Sequence, residues 1–148
     1  IVDIAAGAED NAVVFANACG RIVVIIVGEP TSFVDSYSLI KTINQKSSFK
    51  NFCILINQAE DSKLAKNIFN KFQKITSKFL DINLHYVGFL ETSKKIKKSI
   101  IERKPILISE PSSSISEKFI HIANEILKTP KNEWGGLSFL TGSKRKRA

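Results

Sequence analysis

Three stretches of this chain are rich in apolar residues, and they constrain the fold more than any other feature; the first is a continuous β-branched run with no alternation of polar residues. They occupy positions 21–27, 50–57 and 83–90, and the first reads Arg21 followed by Ile-Val-Val-Ile-Ile-Val. A one-sided strand alternates apolar and polar residues, whereas a strand covered on both faces by helices does not. The runs therefore predict an α/β fold, with a parallel sheet flanked by helices on both faces and right-handed crossovers. Residues 1–4 are predicted to be the end of a further buried strand.

Between these runs, apolar residues recur at helical spacing. The clearest helix is predicted over residues 60–80, with its lysines on the solvent side and an inward stripe formed by Leu64, Ile68, Phe72, Ile75 and Phe79. Further helices are predicted over 10–18, 32–44, 93–102 and 114–127, and a brief extended piece over 105–108. Ser32 with Asp35, and Ser114 with Glu117, have the spacing of a capping box and predict two helix starts.

Composition excludes several classes of function. The 148 residues suffice for one domain with a real core, and no apolar run has the length of a membrane span. The net charge of +8 could indicate a nucleic-acid partner, but the lysines lie on outer helix faces without interleaved aromatic residues, so none is expected. Cys19 and Cys53 adjoin apolar runs and are predicted to be reduced, which together with the missing signal segment favours a cytoplasmic protein.

In parallel α/β folds, ligands bind outside the carboxyl ends of the strands. Here those ends fall at 3–7, 28–31, 57–60 and 90–93, where small and polar residues collect. Asp3 would bring a carboxylate to this edge, and Gly7 would let the backbone approach a phosphate closely. The sequence thus predicts a phosphate or metal site at this edge.

The order of these motifs resembles the MinD/ParA-type P-loop ATPases. The resemblance is carried by Val2-Asp3-Ile-Ala-Ala-Gly7, by Glu29-Pro-Thr-Ser-Phe-Val-Asp-Ser-Tyr37, and by Asn57 at the end of a strand. It extends through Tyr86–Leu90 and Arg103–Ile106 and covers about residues 1–128. The Glu-Pro-Thr-Ser stretch is closest to the branch that regulates the number and placement of bacterial flagella. Residues 1–128 would be the carboxyl-terminal part of such an ATPase domain, and residues 129–148 a basic, flexible tail.

The resemblance implies roles for four positions. Asp3 would hold a water molecule bound to Mg²⁺, and the backbone N–H of Gly7 would sense the γ-phosphate of ATP. Asn57 would contact the edge of the adenine, and Glu29 would lie near the nucleotide and the dimer face. ATP and Mg²⁺ are the implied cofactors of the full-length protein. The implied partners are a second copy in the ATP state, a flagellar SRP-type GTPase or flagellar switch and regulator proteins, and the membrane surface.

Several features depart from the family pattern. The chain has no phosphate-cradling Gly-Lys-Ser/Thr loop, and the switch I aspartate has no counterpart in it. Glu91 and Ser93 stand where the family usually has a proline and an aspartate. By itself, the chain is therefore expected neither to bind ATP tightly nor to hydrolyse it.

Two alternatives remain beside a flagellar-number ATPase. One is a degenerate domain that kept the sheet and binds partners without nucleotide chemistry. The other is a ParA- or MinD-type partitioning or septum-site protein. His85 and His121 lack partners at catalytic or metal-binding spacing and are interpreted as structural or surface residues. In the tail, Trp134 and nearby apolar residues beside a Lys-Arg cluster offer a membrane contact, although a disordered tail is the preferred interpretation.

Overall fold

The computed structural model describes residues 1–4 and 10–131. Within these ranges, helices and strands alternate along the chain. Their bounds are α1 Asp10–Ala18, β1 Ile22–Ile26, α2 Pro30–Ser47, β2 Asn51–Ile56, α3 Ser62–Thr76, β3 Asn83–Phe89, α4 Lys94–Ile101, α5 Ile106–Ser109 and α6 Ser114–Lys128. The prediction of an α/β fold is confirmed, because the strands form one sheet in the order β1-β2-β3 with both pairings parallel.

Two apolar clusters cover the two faces of the sheet. On one face, Ile26, Ile54 and Ile56 pack with residues of α1, α2 and α3, including Ile40 and Phe72. On the other face, the cluster is smaller and joins Cys53, Leu55 and Val87 to the side chain of Ile122 in α6. The helices therefore flank the sheet on both sides, with a single helix, α6, in the second of these clusters.

Burial of β1 differs from the prediction. Ile22, Val24 and Ile26 are buried, but Val23 and Ile25 are 37% and 57% exposed. The cluster on the α6 side is built on β2 and β3, and it contains no residue of β1. The prediction that this run is covered on both faces is wrong for the described part of the chain.

The sheet contains one irregularity, in β3. Tyr86 is in register with Ile54 and Gly88 with Leu55, so Val87 is an extra residue relative to β2. Val87 belongs to the cluster on the α6 side, and a Cβ on Gly88 would meet Ile122 Cγ1 at 2.8 Å. Two consecutive residues thus face the same helix, as expected at a β-bulge, and the second has no side chain.

Several local predictions need correction. Residues 1–4 form no strand, and Val2 is half exposed; Ile4 packs on the core, but the segment has no ladder partner in the sheet. The extended piece predicted at 105–108 is instead the short helix α5, since a four-residue apolar run does not distinguish helix from strand. In α3, which ends at Thr76, the buried positions include Ala65 and Thr76, whereas Leu64 and Ile75 are exposed. Phe79 of the predicted inward stripe lies beyond the end of the helix and is exposed as well.

Both predicted capping boxes are also wrong. The N-cap of α2 is Glu29, which makes no side-chain cap, and the helix opens with Pro30. The N-cap of α6 is Ser113 rather than Ser114, and its hydroxyl accepts from the Ser116 N–H. Proline at the first helical position needs no N–H partner, which explains why α2 can start without a cap.

Candidate functional site

The candidate site is the edge of the sheet where the three strands end. Backbone hydrogen bonds connect the loops that leave these strands. The Asn57 N–H donates to the Ile26 carbonyl at 2.8 Å, the Leu90 N–H to Ile56 at 2.9 Å, and the Ala59 N–H to the Leu90 carbonyl at 3.2 Å. This carboxyl edge is therefore held together by the backbone, which gives the side chains it carries fixed starting positions.

The loop after β1 is shaped by the first turn of α2. The Val27 N–H donates to Ser32 Oγ at 3.1 Å, so the Ser32 hydroxyl reaches back to the end of the strand instead of capping the helix. A Cβ on Gly28 would lie 3.0 Å from Ile68 Cδ1, which shows how closely α3 approaches this loop. Glu29 follows, and its side chain is exposed to solvent. The structure thus places the predicted Glu29 at the end of β1, open to a ligand or a partner.

Asn57 leaves the end of the neighbouring strand β2. It is half-buried, and its Oδ1 accepts from the Gln58 N–H at 3.0 Å. Gln58 has a φ of 59°, which lies in the left-handed region that few residues other than glycine adopt and that occurs mainly in turns. The Asn57 Nδ2 group makes no hydrogen bond to any residue that the structure describes. The amide is therefore oriented at one end and retains two N–H donors and an acceptor lone pair for another molecule.

The loop after β3 carries an ion pair that the sequence did not indicate. Lys118 of α6 contacts the Glu91 carboxylate, and its ammonium lies 4.7 Å from the centroid of the Phe89 ring. Glu91 is thus neutralised by a lysine 27 residues away in the chain. Nothing in the sequence indicates a partner for Lys118, and no local motif could have found this pair.

Two predicted site residues are not joined to this edge by the structure. Asp3 is exposed and lies outside any strand, with no hydrogen bond to a described residue. Gly7 lies outside the described residues. The structure therefore brings Glu29 and Asn57 to adjacent strand ends, and leaves the assignments of Asp3 and Gly7 as predictions.

Cys53 lies near the opposite end of β2, beside the end of α6. Its Sγ is 3.2 Å from Thr129 Oγ1, and Arg21 donates from Nε to the Thr129 carbonyl at 3.0 Å. Burial raises the pKa of the Cys53 thiol from its usual value, while the Thr129 hydroxyl and the Arg21 charge oppose the shift more weakly. A protonated, buried thiol of this kind is a poor nucleophile and metal ligand, in agreement with a structural role.

Among the described residues, no group of three or more His, Cys, Asp and Glu side chains is placed to hold a metal ion. This finding is compatible with Mg²⁺ held by a nucleotide, because such ions keep several waters and take one or two carboxylates from the protein. Asn57 likewise fits an adenine, whose edge presents both a donor and an acceptor.

Comparison with known proteins gives two relatives and no matching family model. The chain is 33% identical to the antiactivator FleN of Pseudomonas aeruginosa strain PAO1 over 141 residues, which cover 94% of this chain and 50% of FleN. The chain belongs to the MinD/ParA-type family, of which FleN is a flagellar-number regulator. It is also 28% identical, over 138 residues, to the flagellum site-determining protein YlxH of Helicobacter pylori, covering 93% of this chain and 46% of YlxH.

The chain spans about half the length of the curated relatives it matches, namely their carboxyl-terminal half. The resemblance deduced from the Glu-Pro-Thr-Ser stretch and the strand ends is thus confirmed at the level of the family. In the described part of the chain, no helix is long and apolar enough to cross a membrane.

Proposed function

We propose that this chain forms the adenine-facing half of a flagellar-number regulator that dimerises with ATP and then engages flagellar proteins. The observation that carries the proposal is the Asn57 amide, which is held at the carboxyl edge by Gln58 and leaves its Nδ2 group available. The named roles of FleN as an antiactivator and of YlxH in flagellum site determination support the cellular part of the proposal.

In this proposal, each residue has one task. Asn57 donates from Nδ2 to an acceptor on the adenine and accepts at Oδ1, and so selects the base. Asp3 accepts from a water molecule of the Mg²⁺ hydration shell and thereby orients the ion. Glu29, exposed at the neighbouring strand end, contacts the second copy across the nucleotide edge. Bound ATP with Mg²⁺ would supply the divalent cation and the phosphates to this edge, and the phosphate cradle would come from residues other than these.

The test uses a chimera in which this chain replaces the matching half of P. aeruginosa FleN, produced in cells that lack FleN. We expect Asn57→Ala to weaken ATP binding about tenfold, because the two hydrogen bonds to the adenine together contribute about 1.4 kcal/mol, and to remove the preference for ATP over GTP. Isothermal titration gives both affinities, and electron microscopy gives the number of flagella per cell.

Asn70→Ala is the matched control, because Asn70 presents the same amide on the exposed side of α3. It should leave nucleotide affinity and flagellar number unchanged. Equal ATP and GTP affinities in the parent chimera, or an Asn57→Ala chimera that binds like its parent, would contradict the proposed role.

The second candidate is a domain that binds partners without nucleotide chemistry. It is favoured by the position of Asp3, which is exposed and outside the sheet, and by the Lys118–Glu91 pair in the altered loop after β3. A chimera that restores the normal number of flagella while binding neither ATP nor GTP would establish this candidate instead.

A further inference from the structure

The segment from α4 to α5 exposes more aliphatic surface than its packing requires. Ile101 is 81% exposed, Ile100 69% and Ile108 66%, although Ser99 and Ile106 already provide the buried contacts of the two helices. Single exposed aliphatic residues are common, whereas several close together in the chain make the segment a candidate interaction surface. We refer to residues 94–110 as the α4–α5 surface.

The same surface is strongly cationic. It contains six Lys and Arg residues and two Glu residues, a net charge of +4. Both acids are already paired, Glu110 with Lys95 at 2.5 Å and Glu102 with Lys98 at 3.7 Å. The other four cations make no ion pair with any residue that the structure describes. They are Lys94, Lys97, Arg103 and Lys104. Four positive charges are therefore available beside exposed isoleucines.

Arg103 has an unusual backbone conformation in the turn between the two helices. Its φ is 53°, and the turn is closed by hydrogen bonds from the Arg103 N–H to Ile100 at 3.1 Å and from the Lys104 N–H to Ser99 at 3.0 Å. Glycine is the usual residue at such a left-handed position after a helix, and a residue with a Cβ costs about 1 kcal/mol more. An arginine at this position is less favourable for the backbone than a glycine, but it carries a guanidinium, the group best suited to bidentate binding of a carboxylate.

We propose that the α4–α5 surface docks an acidic segment of a partner protein, one that alternates carboxylates with apolar side chains. The carboxylates would bind Arg103 and Lys104, while the apolar side chains would cover Ile101 and Ile108. Charge complementarity selects this partner, since an acidic segment is attracted to a surface of net charge +4. This proposal is independent of nucleotide binding.

Two other occupants fit less well. A second copy would place the same +4 surface against itself across a twofold axis, which like-charge repulsion opposes. A membrane surface would be met by an eight-residue and a four-residue helix, and such short apolar faces bind bilayers weakly without a second anchor.

The experiment is photo-crosslinking in living cells with the full-length protein. Benzoylphenylalanine is placed at Ile101, and for the matched control at Ile120, an isoleucine on α6 that is 52% exposed and lies outside the α4–α5 surface. We expect a crosslink from position 101 to a protein segment rich in Asp and Glu, and none to that segment from position 120.

Charge reversal then tests the mechanism with a synthetic peptide of the crosslinked segment. Arg103→Glu with Lys104→Glu should weaken peptide binding at least about tenfold, and binding of the parent should fall as NaCl rises from about 50 mM to about 500 mM. Lys63→Glu with Lys66→Glu, on the exposed side of α3, should have little effect. Circular dichroism of each variant verifies that it is folded.

Four outcomes would overturn the proposal. These are a crosslink from position 101 to a neutral or basic segment, a crosslink to a second copy, no crosslink at all, and a peptide affinity that the Arg103–Lys104 reversal leaves unchanged. Sedimentation with phosphatidylglycerol vesicles that is lost in Ile101→Ser, without a protein crosslink, would assign the surface to the membrane instead.

Discussion

Gly88 is the position where the structure allows the sharpest prediction. It follows the extra residue Val87 in β3, its φ is 132°, and a Cβ would lie 2.8 Å from Ile122 Cγ1. Both effects act against Gly88→Ala. An L-residue held in that backbone region costs about 1–3 kcal/mol, and forcing a methyl group into a packed cluster costs a similar amount.

We therefore expect Gly88→Ala to lower the free energy of unfolding by about 2–6 kcal/mol. A domain of this size is stabilised by only about 5–15 kcal/mol, so the substitution would remove a large share of the stability of the fold. Urea unfolding of the 148-residue chain, followed by circular dichroism, measures the change. The dependence of the free energy on urea should stay constant if only the native state is affected.

Gly28→Ala is the matched control. Its Cβ would also meet an isoleucine of a packed helix, but at 3.0 Å, at the flexible Cδ1 end of Ile68, and without a left-handed φ. A shift of a few tenths of an ångström relieves that contact, so the cost should be about 1 kcal/mol or less.

A double variant separates the two effects at Gly88. Ile122→Ala alone should cost about 2–5 kcal/mol because it leaves a cavity. If the clash with Ile122 contributes, Gly88→Ala with Ile122→Ala will cost less than the two single changes combined. A Gly88→Ala chain within about 0.5 kcal/mol of the parent, or less affected than Gly28→Ala, would refute the reasoning.

Three further predictions concern other contacts. Arg21→Ala should lower the free energy of unfolding by about 1–2 kcal/mol, because its guanidinium donates to the carbonyls of Thr129 at 3.0 Å and Leu127 at 2.7 Å; equal urea midpoints would contradict this. Asp61→Ala should cost about 1 kcal/mol by removing the N-cap bond to the Leu64 N–H at 2.7 Å, and Asp61→Asn should restore most of it in the same assay. Burial raises the pKa of the Cys53 thiol in the folded chain, so its contribution to stability is complete below the unfolded value near 9.0 and is lost as the pH rises above it. Cys53→Ala should flatten that alkaline decline, and iodoacetamide at pH 8 should label the half-buried Cys19 first; the opposite order would contradict the burial.

Periodicity and β-branching were sufficient to predict the elements that build the sheet. The runs at 21–27, 50–57 and 83–90 all became strands, each within one residue or so of the predicted bounds, and all are parallel as predicted. These signals are strong because the side chains must be apolar at every position of a strand that lies between layers.

Predictions that depended on one or two residues were less successful. Ser32 has the spacing of a cap, but its hydroxyl accepts from Val27 instead, because the loop after β1 turns back on itself. In α3, buried Ala65 and Thr76 let the helix approach the sheet closely, while the larger Ile75 is left half exposed. Hydropathy ranks Ile75 above these small residues, so a pattern based on hydropathy alone cannot show which one faces the sheet.

At the candidate site, the sequence predicted the positions at the strand ends but not the contacts made there. The rule that ligands bind at the carboxyl ends of parallel strands indicated the ranges 28–31 and 57–60, and the family resemblance singled out Glu29 and Asn57 within them. Both residues lie just after the ends of strands in the structure. The Lys118–Glu91 pair could not be predicted, since it joins a loop to a helix that passes over it only in three dimensions. The left-handed Gln58 and Arg103 were missed as well, because neither residue type is a usual signal for that conformation.

The exposed side of β1 follows from the widths of helices and strands. A helix is about 10 Å wide and neighbouring strands lie about 4.8 Å apart, so one helix covers about two strands. On the α6 side, these are β2 and β3, which leaves Val23 and Ile25 uncovered among the described residues. A sequence of five consecutive β-branched residues is nevertheless suited to burial on both faces. The prediction for β1 failed because hydropathy shows only which faces of a strand could be buried. Whether a face is buried depends on a helix that covers it, and among the described residues no helix covers this face of β1.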